Sequence, residues 1–390
     1  MNDRQRIKLM VLIFGLMLIK GWTDNIRGVL TPIIQSDFAV NYTSLAFMML
    51  LSTLGFILAT FSGGILSDKI GQKKVLFLSY AIVALSIIGI SRANSFNIFI
   101  MNMSILGYGG GLFTVGASTM APIIFVKNQA VMMNLLHFFY GVGATLAPRY
   151  AGAMLSNNFT WKQIYLYCLL AVGILILYSF MCKFPKIMDQ KKNEKVPLME
   201  ILKDKNVIMF SVMLGFYVAA EVGIANWIVI YLQRAKGLNE LQSASYLSIF
   251  YVVFTLGRLG GGFVVERVGY LKSIKYAIIL SLGCVLIGMF AGRQMLVMIP
   301  VSGLFFSIIY PTSMTIVMRS FDKGINTIIG VVMTSASAIN MITNWSIGRV
   351  NDAFGESVGF SLILLFQIIT IVLVVIIQKQ RMEFESIKRN

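Results

Sequence analysis

GGILSDKIGQKK, Gly63 to Lys74, closes one apolar run and opens the next, and a second version, GGFVVERVGYLK, Gly261 to Lys272, does the same later in the chain. In each, an acid (Asp68, Glu266) stands three residues before a glycine (Gly71, Gly269), with a basic residue (Lys69, Arg267) directly after the acid. The acids are 198 positions apart, and so are the glycines; Gln35 and Gln233, where the first and seventh apolar runs end, share that offset. GLFTVGASTM (Gly111 to Met120) and GLFFSIIYPTSM (Gly303 to Met314) also echo one another in the fourth and tenth runs. A shared offset at separated places indicates a duplicated unit, and duplicated halves with a site at their interface are the plan of a rocking transporter.

The rest of the chain fits that reading. Of its 390 residues 57% are hydrophobic and only 13% charged, with a mean hydropathy of +0.80. Soluble domains run at about 45–50% apolar and about 25% charged, so this composition predicts an all-α integral membrane protein. Runs long enough to cross a hydrocarbon core of about 30 Å are expected near 9–35, 43–67, 74–92, 96–121, 130–155, 162–183, 206–233, 243–265, 273–292, 295–318, 326–349 and 358–378. One hydrophilic stretch, KFPKIMDQKKNEKVPLMEILKDKN (Lys183 to Asn206), divides six spans from six. The expected organisation is a six-helix half over 1–184, a linker over 185–205 and a second six-helix half over 206–390.

The formal charge of +17 argues for topology rather than for nucleic acid, because Lys and Arg concentrate in alternate short loops. The positive-inside rule then places both termini and the linker in the cytoplasm of a cell-membrane protein. Arg4, Arg6 and Lys8 ahead of an apolar run mimic a signal peptide, but no A-x-A pattern follows, and a retained first helix is expected. Cys168, Cys182 and Cys284 have neither paired nor metal-ligand spacing and read as small core residues.

The segment Gly64, Asp68, Lys69, Gly71, Lys73 and Lys74 resembles the signature that follows the second helix in the major facilitator superfamily, with Gln72 where an arginine is usual. The resemblance implies a twelve-helix transporter in two pseudo-symmetric halves, with this motif and its echo at Glu266 and Arg267 acting at a cytoplasmic gate. The physics is compatible: Gly64 admits close helix approach, Gly71 a tight turn, and Asp68 suits a neighbouring helix N-terminus. YVAAEVGIANWIVIYL (Tyr217 to Leu232) and NLLHFFYGVGATLAP (Asn134 to Pro148) look like the seventh and fifth helices of the fucose-permease-like sugar symporters. That group implies uptake of a sugar with a cation, usually H⁺. The chain departs from it in the fourth helix, where NMSILGYGGGLFTVGAS (Asn102 to Ser118) has no acid.

Polar residues inside the spans are the candidate site. Lys20, Asp24, Arg27, Thr31 and Gln35 share one helical stripe. Insertion scales charge about 2.5–3.5 kcal/mol for each central Arg, Lys or Asp, so the stripe must avoid lipid. Asp24 and Arg27, as i,i+3 neighbours, form either a structural ion pair or a proton-exchanging acid beside a cation that gates the exchange or contacts substrate. Glu221, 197 positions beyond Asp24, is the second proton-coupling candidate, followed by Asn226 and Trp227. Asn134 and the lone His137 lie on the fifth-span stripe, with Arg149 at its end; His137 reads equally as packing. Arg258 precedes Glu266 by about two turns and falls within the eighth span. Asn340 and Asn344 suit hydroxyl groups, and Tyr108, Trp227 and Tyr310 either stack on a sugar face or pack.

No hydrolase elbow, zinc spacing or phosphate loop is present in the sequence, so neither enzyme chemistry, a metal nor a cofactor is expected. The expected activity is alternating-access transport of a small polar solute, a sugar or related polyhydroxy compound, with H⁺ or Na⁺ and only lipids as further partners, by a monomer. Export of drugs is the competing reading, from GATLAPRYAG (Gly143 to Gly152), although Met103 or Ile105 stands where exporters carry a fourth-helix arginine. A sugar-acid or organic-anion carrier follows from Arg27, Arg149 and Arg258, and a transporter-like receptor is the non-transport alternative.

Overall fold

The computed structural model describes residues 3–124, 129–184, 197–320 and 325–389. Among these it contains fourteen α-helices: α1 (Asp3–Asp37), α2 (Tyr42–Ile70), α3 (Gln72–Ser91), α4 (Phe96–Ile124), α5 (Gln129–Ser156), α6 (Trp161–Phe180), α7 (Leu198–Lys203), α8 (Lys205–Ile230), α9 (Glu240–Val268), α10 (Tyr270–Phe290), α11 (Met298–Phe306), α12 (Ile309–Ser320), α13 (Ile325–Phe354) and α14 (Glu356–Arg389). Eleven stretches among the described residues are long and apolar enough to cross a membrane. The remaining expected span, the fifth, is the 28-residue α5.

Three features depart from the expected spans. The expected linker contains a short helix, α7, that caps onto Asp204, whose carboxylate accepts from the Asn206 and Val207 amides at the start of α8. The seventh span ends in a π-helical turn, Tyr231–Ala235. The tenth span is not one helix but two, α11 and α12, interrupted at Ser307 and Ile308. The interruption has a local cause. Pro311 has no amide hydrogen for the Ser307 carbonyl, and the Ser307 hydroxyl occupies the Leu304 carbonyl at 2.6 Å.

The chain forms two compact units, one of residues 1–189 with 232–248 and one of 190–231 with 249–390. In the first unit α1 packs mainly on α5, α2 on α4, and α3 on α4 and α6. Backbones meet closely where glycines face carbonyls. A Cβ on Gly21 would strike the Tyr140 carbonyl and one on Gly143 that of Leu18; Gly55 and Gly107 do the same for α2 and α4. Helices in lipid gain from such small-residue contacts because the tails give no hydrophobic drive between them. In the second unit α8 packs on α13 and α14, and α10 on α11 and α14. The outward faces are apolar: Phe61, Leu85, Leu170, Ile174 and Leu177 are all exposed over most of their surface, as a hydrocarbon surround requires.

The repeat seen in sequence holds in backbone geometry. Gly71 ends α2 at φ 84°, ψ 149°, and Gly269 ends α9 at φ 92°, ψ 149°. The Gly71 amide bonds the Ser67 carbonyl at 3.0 Å and the Gly269 amide that of Val265 at 2.9 Å, again 198 positions apart. A residue with a Cβ is strained at that φ, which explains why both turns carry glycine.

Candidate functional site

In the first unit the charged stripe of α1 is organised by a pair the spacing did not single out. The Lys20 ammonium, not Arg27, bonds the Asp24 carboxylate, one helical turn away. This corrects the Asp24–Arg27 pairing. Both cations lie on the same stripe, and the neighbouring helices decide between them. Lys20 is buried, with its Nζ 4.8 Å from the ring centroid of Phe56 on α2 and 5.6 Å from that of Tyr140 on α5, where ring faces attract a desolvated cation. The Tyr140 hydroxyl donates to Asp24 at 3.3 Å, and the Asn25 amide reaches the same hydroxyl at 3.4 Å. Gly110 of α4 faces the pair; a Cβ there would lie 3.9 Å from Asp24 Oδ1. Arg27 is partly buried, within electrostatic range of Tyr165, and Thr31 donates back to the Arg27 carbonyl at 2.7 Å.

The other expected residues of this unit are spread along it. Tyr108 shares a 2.8 Å bond with Ser62 of α2 and lines a largely apolar groove of about 580 Å³ with Phe47, Leu51 and Gly55. His137 and Arg149 are exposed on α5, and Pro148 is buried within that helix. The side chains of Asn134, Gly64 and Asp68 lie outside the described residues. Lys69, Lys73 and Lys74 are exposed around the Gly71 turn, with Lys73 over the Phe77 ring at 6.0 Å.

The second unit has its own acid cluster. Glu221 on α8 is hydrogen-bonded to the hydroxyl of Tyr217, one turn earlier. That hydroxyl also lies 3.0 Å from the Phe306 carbonyl at the end of α11. Arg258 from α9 and Tyr310 from α12 are in electrostatic contact with this group, and the Arg258 guanidinium covers the Phe254 ring at 4.5 Å. One turn further along α8, Asn226 donates to Asn344 at 3.3 Å, and Asn344 donates to Asn340 at 2.7 Å. This buried amide chain joins α8 to α13 and presents alternating donors and acceptors, the chemistry that hydroxyl groups match. Trp227 is 1% exposed and packs in the core of its unit, which favours the packing reading over stacking on a ligand. Glu266 and Arg267 are exposed at the Gly269 turn.

Sequence reasoning missed Tyr140, Phe56 and Tyr217. Tyr217 had a signal, since it stands four residues before Glu221 as Lys20 does before Asp24; the rings that enclose Lys20 come from other helices and had none.

Known proteins share this architecture. A protein of Erwinia tasmaniensis described as a TsgA homolog is 20% identical over 66% of this chain, which spans 65% of that relative's length. The nucleoside transporter NupG, in a mutant form, superposes with a TM-score of 0.81 at 13% identity, covering 95% of this chain and 99% of its own. A D-xylose-proton symporter gives 0.78 at 12%, with 95% and 96% covered. FucP, in an outward conformation, gives 0.65 at 19%, with 95% and 99% covered. At these identities the structures establish the fold. Residues 12–344 match the profile of the Major Facilitator Superfamily, and the chain is a member of that superfamily of membrane transporters.

Proposed function

We propose that this transporter moves a small polar solute, a sugar or related polyhydroxy compound, by alternating access between its two six-helix halves, with H⁺ in symport. The supporting observation is the pair of intramembrane acids, one in each unit, each bonded to the residue one turn before it. Intramembrane carboxylates are costly and mark ion pathways. Asp24 is held by an ammonium and Glu221 by a phenol, so Glu221 is the better candidate for the group that changes charge during the cycle. The Asn226–Asn344–Asn340 chain is a suitable reader of solute hydroxyls, and the fold neighbours include proteins described as D-xylose-proton and nucleoside transporters. The loop motif around Asp68 and Gly71 acts as a conformational latch, and both termini and the linker lie in the cytoplasm.

The test is uptake by proteoliposomes under an imposed pH gradient, after a thermal-shift screen of neutral sugars, sugar acids and cationic drugs, in which a bound solute raises apparent stability. Glu221→Gln is expected to abolish pH-driven accumulation while retaining solute exchange, because exchange needs only a loaded carrier that reorients. Full accumulation by an Asp24→Asn, Glu221→Gln double variant would remove proton coupling from both acids. A second reading, a sugar-acid or organic-anion carrier, draws on Arg27 and Arg258, one partly buried guanidinium in each unit; it predicts that the screen selects carboxylated sugars and that Arg258→Gln loses that selectivity.

A further inference from the structure

We propose that Tyr217 is a positioning residue that ties the proton on Glu221 to the break in the tenth span, so that losing the proton loosens the junction between α11 and α12. The proposal rests on the reading of Glu221 as the proton carrier and adds the link by which that proton is felt by a helix.

A tyrosine hydroxyl carries a single donor hydrogen, yet the Tyr217 oxygen stands within bonding distance of two acceptors, the Glu221 carboxyl group and the Phe306 carbonyl. Both contacts are satisfied together only when Glu221 is protonated: its O–H donates to the Tyr217 oxygen, and the tyrosine hydrogen goes to Phe306. The carbonyl in question is no ordinary helical acceptor. Ser307 and Ile308 separate the two helices: Ser307 N–H bonds the Gly303 carbonyl at 3.1 Å, Thr312 N–H bonds the Ile308 carbonyl at 3.2 Å, and Pro311 brings no amide hydrogen for Ser307. The last turn of α11 is therefore tied to α8 by a side chain directly beside the break.

When Glu221 releases its proton to water, the carboxylate keeps only acceptors and draws the Tyr217 hydrogen to itself. Phe306 then loses that donor, and a hydrogen bond given up away from water is expensive. The junction gains a reason to move. The charged and titratable groups facing Glu221 are Tyr217 on its own helix, Arg258 from α9 and Tyr310 from α12. Arg258 has no direct ion pair with Glu221 among the described residues. The new anion thus gains an attraction to α9 in the same step that α8 releases α11. Tyr310 sits one residue into α12 and would be carried by the movement.

Amide hydrogen exchange over residues 306–312, measured on the full purified chain without solute and corrected for intrinsic chemistry, tests this. The wild type is expected to exchange slowly in acidic buffer and roughly tenfold faster in alkaline buffer, the scale of one lost hydrogen bond. Glu221→Gln, whose amide donates to Tyr217 at any pH, should be slow in both. Tyr217→Phe should be fast in both. Pro311→Ala, which restores a donor for Ser307, should be slow in both and serves where Tyr217→Phe folds poorly. A Tyr217→Phe or Pro311→Ala protein that keeps the wild-type pH difference overturns the link. If Glu221→Gln at the same time abolishes pH-driven accumulation, the coupling reading stands and only the link fails. If Glu221→Gln accumulates normally but Tyr217→Phe flattens the exchange profile, the link stands and the coupling reading fails.

Discussion

Asp24 and Glu221 stand 197 positions apart in two repeated units, each bonded to the side chain four residues earlier. The place and the spacing agree; the partner does not. In the first unit the partner is Lys20, a cation buried between two aromatic rings, so the pair carries no net charge and the carboxylate is compensated where it sits. In the second the partner is Tyr217, which offers one hydrogen and no charge, and Arg258, within electrostatic range, makes no ion pair with Glu221 among the described residues. The difference teaches that a duplicated fold can keep two acids in register while giving them separate tasks. A compensated acid suits a fixed framework or a solute contact, and an uncompensated one suits a charge that comes and goes.

The largest effect should come from breaking the compensated side. Lys20→Met leaves the Asp24 carboxylate with no cation bonded to it; removing one partner of a fully buried pair costs about 3–5 kcal/mol, and the cost here is smaller because the Asp24 side chain is 35% exposed. The expected result is a steep loss of thermal stability in detergent, with most of it recovered in a Lys20→Met, Asp24→Asn double variant. Equal stability of the single and double variants would mean that Lys20 does not compensate Asp24, and the contrast between the units would collapse.

A smaller and symmetric effect is expected at the two turns. Gly71→Ala and Gly269→Ala each force a Cβ into the same positive-φ conformation, at about 1–3 kcal/mol. Thermal unfolding should show both losses, of similar size. A tolerated change at one turn alone would show that the repeat is broken there, and Gly71→Ala should also slow uptake if the turn positions the Asp68 latch.

The spans were legible in the sequence because twenty apolar residues have one use in a chain of this composition, and the repeat was legible because Gly71 and Gly269 are demanded by backbone sterics that no other residue meets well. Side-chain choices were less so. The stripe from Lys20 to Gln35 was readable from helical spacing, but that spacing puts Lys20 and Arg27 equally beside Asp24. Phe56 and Tyr140 decide between them, and they arrive from two other helices at positions that periodicity does not specify. Pro311 was visible, yet whether a membrane helix bends or breaks at proline depends on what donates to the carbonyls around it; here the Ser307 hydroxyl donates to Leu304 and that of Tyr217 to Phe306. The four-residue spacing of Asn340 and Asn344 announced a polar face, while the bond from Asn226 needed the packing of α8 on α13.

The smallest effect separates two tyrosines with the same nominal role. Tyr140 is bonded to Asp24 at 3.3 Å, as Tyr217 is to Glu221, so a reading based on contacts alone would rank Tyr140→Phe and Tyr217→Phe together. The contrast between the units ranks them apart. At Asp24 the Lys20 ammonium remains after the hydroxyl is gone; Tyr140→Phe removes the long bonds to Asp24 and from Asn25, each worth about 1 kcal/mol, and the ring that faces Lys20 is retained. Uptake and its pH profile should stay near wild type, with a slight fall in thermal stability. At Glu221 the hydroxyl is the only group bonded to the carboxyl among the described residues, so Tyr217→Phe should flatten the pH profile at a comparable cost in stability. Equal pH profiles in the two phenylalanine variants would mean that the partner four residues back does not set the task of each acid, and the division of labour between the units would have to be sought in Arg27 and Arg258 instead.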